Sequence, residues 1–227
     1  MSTGWDITFP FFTPTDASGL GLPVSIVHQS LLDSKKWQTL EAAADRTILR
    51  MFPRLANPPN FDRHPMNTTQ FYVYRGMVSP QEAGEGGNSI VFLGQVGAAQ
   101  SFQIAETQSI WAAAYLMGKL KMPSVEEMET DIALTNAWRR RRYLSAGERK
   151  PTFMHDELAY VSMLLRDLGI NYKRKGGGLK ELFQPYCNKD YRGMLEEWRR
   201  MQKGKEQEEM EQGYEASPTF SSRTAVV

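Results

Sequence analysis

Cysteine, histidine and charge of either sign in excess are all scarce in this sequence, and each scarcity removes a class of function. A single cysteine, Cys187, excludes an internal disulfide and a thiolate zinc cluster and fits a reducing compartment. The three histidines, His28, His64 and His155, make no ligand pair at i, i+3 or i+4, so no metal site is expected. Lys and Arg number 27 against 26 Asp and Glu, a formal net charge of +1. Global electrostatics therefore gives no reason to expect nucleic acid or an anionic membrane as partner. No run approaches the roughly 18 apolar residues that span a bilayer. No basic segment leads into an apolar one near the N-terminus, as a secretory signal requires. Gly-x-Ser-x-Gly and Walker-type loops are missing, and no complete catalytic constellation is visible. The expectation is a soluble, cytoplasmic protein.

What is present is ordinary in bulk: hydrophobic residues are 41% and charged residues 23% of 227, enough chain for one large domain or two small ones. The order of the residues is more telling. Met1-Ser2-Thr3-Gly4-Trp5-Asp6 reads as the tail of a strand whose first half is absent, so the chain is expected to begin inside a larger domain. Ser34 can cap a helix whose apolar side is Trp37, Leu40, Ala44 and Ile48 and which stops before Pro53. Residues 56–69 read as a surface connection.

Gln70 to Tyr74 is a short β-favouring run. Ser89-Ile90-Val91-Phe92-Leu93-Gly94 reads as a strand buried on both faces, since it lacks polar alternation. Gly94-Gln95-Val96-Gly97 follows, and then a helix to about Leu120 with Ile104, Gln108, Trp111 and Tyr115 on one face. Glycines between a strand and a helix N-terminus let a ligand approach the backbone, where negative charge is favoured. The spacing is Gly-x-x-Gly rather than the dinucleotide Gly-x-Gly-x-x-Gly, so tight strand–helix packing explains the glycines equally well.

Ser124 and Glu127 match a capping box at the start of a further helix. The four arginines at 139–142 fall at its C-terminus, where they complement the helix dipole, and successive helical residues cannot form one flat patch. A solvated helix end is the expected reading. His155-Asp156-Glu157 reads as an acidic first turn before Leu158, Val161, Leu165 and Leu168, with closure at Gly169. Cys187 is expected to pack quietly. Gly176-Gly177-Gly178 forms a joint before a last helical pair to about Lys203, with Tyr191, Leu195 and Trp198 inward. From Gly204 the chain is charged and then Ser/Thr/Pro-rich, and disorder is expected.

Several of these segments, in this order, resemble the C-terminal portion of flavin-dependent monooxygenases, the fungal relatives of the dimethylaniline-type flavin-containing enzymes. Ser2-Thr3-Gly4-Trp5-Asp6 is similar to the end of the family's Ala-Thr-Gly-aromatic strand, and Tyr74-Arg75-Gly76-Met77-Val78 to its Tyr-Arg-x-Val segment. Ile90 to Gln95 resembles the final strand of its FAD domain. Ala105-Glu106-Thr107-Gln108-Ser109-Ile110-Trp111-Ala112-Ala113 resembles its Ala-Glu-x-Gln-x-x-Trp-Ala-Ala helix. Asp156-Glu157-Leu158 and Tyr191-Arg192-Gly193 extend the likeness more loosely.

The resemblance implies an α/β fold: a partial, Rossmann-like FAD-binding domain remnant over residues 1–122, a mainly helical extension over 123–203 and a disordered tail over 204–227. It implies FAD and NADPH as cofactors, with hydride transfer to the flavin, reaction with O2 and oxygen delivery to a small organic substrate. Carried onto this sequence, Gly94, Gln95, Gly97 and the amides near Gln100 and Ser101 line the flavin, and Thr3 and Gly4 lie near its adenosine-diphosphate half. Neither Gly-x-Gly-x-x-Gly turn of that family occurs in the 227 residues, so the chain alone is expected to hold FAD poorly and to be inactive. The alternatives are a non-catalytic binding or regulatory module and one half of a split flavoenzyme completed by a nucleotide-binding chain.

Overall fold

The computed structural model describes residues 9–59, 66–98, 101–144, 147 and 151–215. These residues divide into two compact units, one ending at Leu168 and one beginning at Gly169.

The first unit is built on helices. Helix α1 (Pro14–Gly19) is capped by the Thr13 side chain, and α2 (Ser34–Met51) by Asp33, whose carboxylate accepts from the Lys36 amide. The cap of α2 is therefore one residue earlier than the Ser34 expected, because a carboxylate at Asp33 reaches the free amide first. Short 3-10 turns at Ile26–Leu31 and Pro53–Leu55 flank α2. Helix α3 (Pro80–Gly84) precedes α4 (Ser101–Leu116), which ends four residues short of the expected Leu120. Helix α5 (Val125–Tyr143) opens with the reciprocal Ser124–Glu127 capping box that the sequence signals. Helix α6 (Glu157–Asp167) closes the unit.

The expected α/β architecture is not what the described residues form. They contain no strand ladder; extended segments meet only in isolated bridges, Ser25–Thr68 and Tyr74–Val78 antiparallel and Gly97–Thr152 parallel. Residues 67–72 run antiparallel to 21–26, with Ile26 N–H donating to the Asn67 carbonyl (2.9 Å), Thr69 to Val24 (2.8 Å) and Tyr72 to Gly21 (2.7 Å). The 89–94 segment is extended, with the Phe92 amide bonded to the Met77 carbonyl at 2.7 Å. It is not buried on both faces, since Phe92 is 9% exposed and Leu93 44%. β-favouring residues supply a side-chain pattern, but a strand exists only where a neighbour supplies the ladder.

Two apolar clusters and a central layer hold the unit. Ala17, Leu22, Val24, Phe71, Val73 and Phe92 form one cluster, with Phe9 and Phe12 set edge-on to Phe92. Helices α2 and α5 meet through the second, where the small Ala44, Ala133 and Ala137 let the backbones approach beside Ile48. Trp111, Tyr115, Tyr160 and Leu164 are fully buried where α4 lies against α6. Ile104, Gln108, Trp111 and Tyr115 share the inward face of α4 as their spacing requires.

The arginines at the end of α5 are not a solvated helix end. Arg140 pairs with Glu41 at 3.0 Å, Arg141 with Asp45 at 3.0 Å and Arg142 with Asp156 at 3.3 Å, while Arg139 is buried and donates to Asn136 Oδ1. The 3.6-residue period sends one of the four inward and aims two at the acidic side of α2. Asp156 stands at the N-cap of α6, one residue before the acidic first turn expected to include it, and its carboxylate accepts from Arg142 and from the Tyr143 hydroxyl. Burial and that hydrogen bond push the Tyr143 phenol up to about 12.

The second unit contains α7 (Leu179–Phe183), a 3-10 turn (Asn188–Tyr191) and α8 (Met194–Glu215). Ile170, Tyr191, Met194 and Trp198 form its buried side. Arg174 pairs with Glu197 and Lys175 with Asp190, each at 2.7 Å. Helix α8 continues through Gly204 to Glu215, where disorder was expected, because residues 205–212 are nearly all strong helix formers. Cys187 is exposed rather than packed.

Candidate functional site

Three of the segments that carry the family resemblance, at 74–78, 90–95 and 105–113, are tied together by one hydrogen-bonded chain in the first unit. It begins at Gly94, whose φ of +75° is left-handed and whose absent Cβ would meet nothing within 4 Å. Glycine is thus favoured here by backbone conformation, and the space in front of it is open. Packing against a neighbour, the competing explanation of this glycine, is not its role.

The Gly94 amide donates to Gln108 Oε1 at 3.5 Å, a long contact. Gln108 Nε2 donates to the Tyr160 hydroxyl at 2.8 Å, and that hydroxyl donates to the Arg75 carbonyl at 2.8 Å. Gln108 and Tyr160 are buried, so these bonds have no competing water. Burial is the main cause that raises the Tyr160 phenol above its ordinary value. It stays protonated and serves as a fixed donor.

Arg75 is the hub. Its Nε and Nη2 meet Asp167 at 2.8 and 3.1 Å, its Nη1 meets Asp131 at 2.9 Å, and the Trp111 indole donates to the same Asp167 at 3.0 Å. The Tyr74 ring lies 4.4 Å from the guanidinium carbon. Burial alone would lower the Arg75 pKa, but the two carboxylates overturn that and hold it above its ordinary value. Burial is also the largest influence on Asp131, whose carboxyl lies above the usual range despite Arg75 beside it. Arg75 holds a φ of +54°, a left-handed conformation uncommon outside glycine.

Gly76 and Gly97 complete the support of the turn. A Cβ on Gly76 would approach Val96 Cγ2 to 2.9 Å, so the Arg75–Gly76 corner lies directly against the 94–97 turn. Gly97 exchanges backbone bonds with the next segment, donating to the Pro151 carbonyl (2.7 Å) and accepting from the Phe153 amide (2.8 Å). Gln95 is half-buried, and Ser101 opens α4. Gly94, Gln95 and Gly97 are therefore brought together, with α4 beginning four residues after Gly97. Thr3, Gly4 and Gln100 lie outside the described residues.

Chemically the network positions; it does not react. Arg75, Asp167, Gln108, Tyr160 and Trp111 are committed to one another, which suits a rigid support under a ligand. Among the described residues no group of three His, Cys, Asp or Glu side chains could hold a metal ion. Arg75, Asp131, Tyr160 and Asp167 were not singled out as site residues from sequence. Asp167 gave a readable signal: a carboxylate beside Leu164, Leu165 and Leu168 on an inward helical face needs a cation.

No family model matches the chain, and no solved structure matches it. Known sequences do. The FAD-dependent monooxygenase resA of Aspergillus sclerotiorum is 37% identical over 205 residues, which cover 90% of this chain and 35% of that protein. The FAD-dependent monooxygenase DEP4 of Fusarium langsethiae is 34% identical over 220 residues, covering 95% of this chain and 37% of that protein. A probable flavin-containing monooxygenase 1 of Arabidopsis thaliana is 27% identical over 126 residues, about half of this chain. The chain spans little more than a third of the length of these two fungal relatives. It belongs to the family of fungal FAD-dependent monooxygenases and corresponds to part of such a protein.

Proposed function

We propose that this chain is the C-terminal, flavin-facing part of an NADPH-dependent flavin monooxygenase acting on a small organic substrate, inactive by itself. The observation that carries the reading is Gly94, left-handed and facing open space, braced by buried Gln108 from the middle of α4. Such a turn suits the edge of a planar ligand, and the residues present fit FAD on its ring side. Gly94, Gln95 and Gly97 would line it with the amides near Gln100 and Ser101, where the helix end favours negative charge on a reduced flavin. Thr3 and Gly4 would serve the adenosine-diphosphate half. FAD, when bound, supplies hydride acceptance from NADPH and reaction with O2. The contribution of these residues is to bind the ring and orient it.

In this reading residues 1–122 are the return of the FAD domain and 123–203 a helical extension. The extended segments at 70–74 and 89–94 become strands where a neighbouring strand completes their ladders. The 91% exposure of Phe102, at the start of α4, favours a missing neighbour at this end. A separate nucleotide-binding chain could be that neighbour, and activity would then appear only on mixing the two.

The purified chain tests the first part: flavin absorbance near about 450 nm should be negligible, and stoichiometric bound FAD would overturn it. A graft tests the second. Replacing the matching segment of the Aspergillus sclerotiorum relative with this chain should preserve flavin retention, and Gln108→Leu within the graft should weaken it. A folded graft that holds no flavin would refute the assignment.

A further inference from the structure

A second feature lies wholly in the unit that begins at Gly169. Helix α7 carries Leu179, Leu182 and Phe183 at i, i+3 and i+4, so they share one face, and they are 72%, 77% and 78% exposed. Large apolar side chains this exposed and this contiguous mark a contact surface. Gly176, Gly177 and Gly178, with φ of +82°, +87° and +66°, lead into the helix and present it as a projecting wedge.

The charge around the wedge identifies what it meets. Residues 171–193 hold six cations against two carboxylates, in a chain whose net charge is only +1. Both carboxylates are used internally. Glu181 accepts from the amides of Lys175 and Gly177 and from the Tyr186 hydroxyl, and Asp190 is taken by Lys175 and the Cys187 amide. Arg174 is neutralised by Glu197. Lys173, Lys180, Lys189 and Arg192 remain exposed, and none of them forms an ion pair among the described residues. The acidic run from Glu206 begins roughly 18 Å along α8 from Met194, at 1.5 Å per residue.

We propose that this wedge is a peripheral docking site for an anionic lipid bilayer surface, with Leu179, Leu182 and Phe183 entering the headgroup boundary and Lys173, Lys180, Lys189 and Arg192 facing the lipid phosphates. Apolar insertion and basic attraction together make the two-signal combination that gives reversible surface binding. No helix among the described residues is long and apolar enough to cross a membrane, so the attachment is interfacial. Each unpaired cation near such a surface contributes about fivefold in affinity, and salt weakens the effect.

Co-sedimentation of the 227-residue chain with vesicles decides the matter. Binding to phosphatidylcholine vesicles containing one-third phosphatidylserine should exceed binding to phosphatidylcholine alone by at least tenfold. It should weaken with added salt. The triple substitution Leu179→Ser, Leu182→Ser, Phe183→Ser should lower it at least tenfold with an unchanged far-ultraviolet circular dichroism spectrum. The pair Lys173→Glu, Lys180→Glu, which leaves the apolar face intact, should do the same. Equal binding to both vesicle types, or variants that bind like the parent chain, would overturn the proposal. So would self-association without vesicle binding that the triple substitution abolishes, since the wedge would then be an interface with a second copy.

Discussion

Replacing Asp167 with Asn tests whether the Arg75 hub organises the first unit. The substitution keeps shape and volume but leaves one carbonyl oxygen where the carboxylate accepts three bonds, two from Arg75 and one from Trp111. The new amide turns donors toward the guanidinium. Arg75, whose side chain is 10% exposed, keeps only Asp131, itself 39% exposed. Removing one partner of a fully buried pair costs about 3–5 kcal/mol, and hydrogen bonds to charged groups contribute about 1.5–3 kcal/mol each. The partial exposure of Asp167 and the surviving Asp131 reduce this to about 2–4 kcal/mol. With a urea slope of about 2 kcal/mol per molar, the unfolding midpoint should fall by about 1–2 M at unchanged slope. Trp111→Phe removes the indole donor and part of a fully buried ring and should cost about 2 kcal/mol or more alone, with a smaller added loss on the Asp167→Asn background. A midpoint shift below about 0.3 M for Asp167→Asn would refute the hub.

Arg139, buried with its Nε unpartnered, should be dispensable: Arg139→Met is expected to be neutral or stabilising by about 1 kcal/mol in thermal unfolding, and a loss above about 2 kcal/mol would contradict this. Gly21→Ala and Gly94→Ala should separate two uses of left-handed glycine. The first places a Cβ 2.4 Å from the Tyr72 carbonyl oxygen and should cost about 3 kcal/mol or more; the second meets open space and should cost about 1 kcal/mol. Equal losses by denaturant titration would contradict that distinction. In the second unit the Lys175 ammonium and the Cys187 amide hold the Asp190 carboxyl down at about 2. Its folded value is below the unfolded carboxylate's value of about 4, so its contribution is present above pH 4 and lost as pH falls toward 2. Carboxyl-carbon nuclear magnetic resonance should find the midpoint near 2 and Lys175→Gln should return it toward 4; a parent midpoint already near 4 would be contrary.

Helices were legible in the sequence wherever apolar period and caps agreed. Ser124 with Glu127 marked α5, and Trp37, Ala44 and Ile48 marked the buried side of α2. Extended segments were not, because Val91 and Phe92 favour a sheet without saying whether a partner strand exists. The four arginines misled for a related reason: helix position predicts direction, but only tertiary packing brings Glu41 and Asp45 beneath Arg140 and Arg141. At the candidate site, the spacing of Gly94 and Gly97 pointed to the turn. The residues that brace it, Arg75, Tyr160 and Asp167, are far apart in sequence, and their convergence follows from how α4 meets α6.

Among the described residues the Ser89, Phe92 and Gly94 amides donate to Glu82, Met77 and Gln108, while Ile90, Val91 and Leu93 sit in no strand ladder. Ser-Ile-Val-Phe-Leu-Gly is uncharged, β-favouring and free of proline, the composition that stacks with copies of itself. Solubility therefore becomes a property of whatever covers this segment. Expressed without a cover, the chain should lose material to concentration-dependent aggregation, and Val91→Lys should slow that loss while leaving the Arg75 hub untouched.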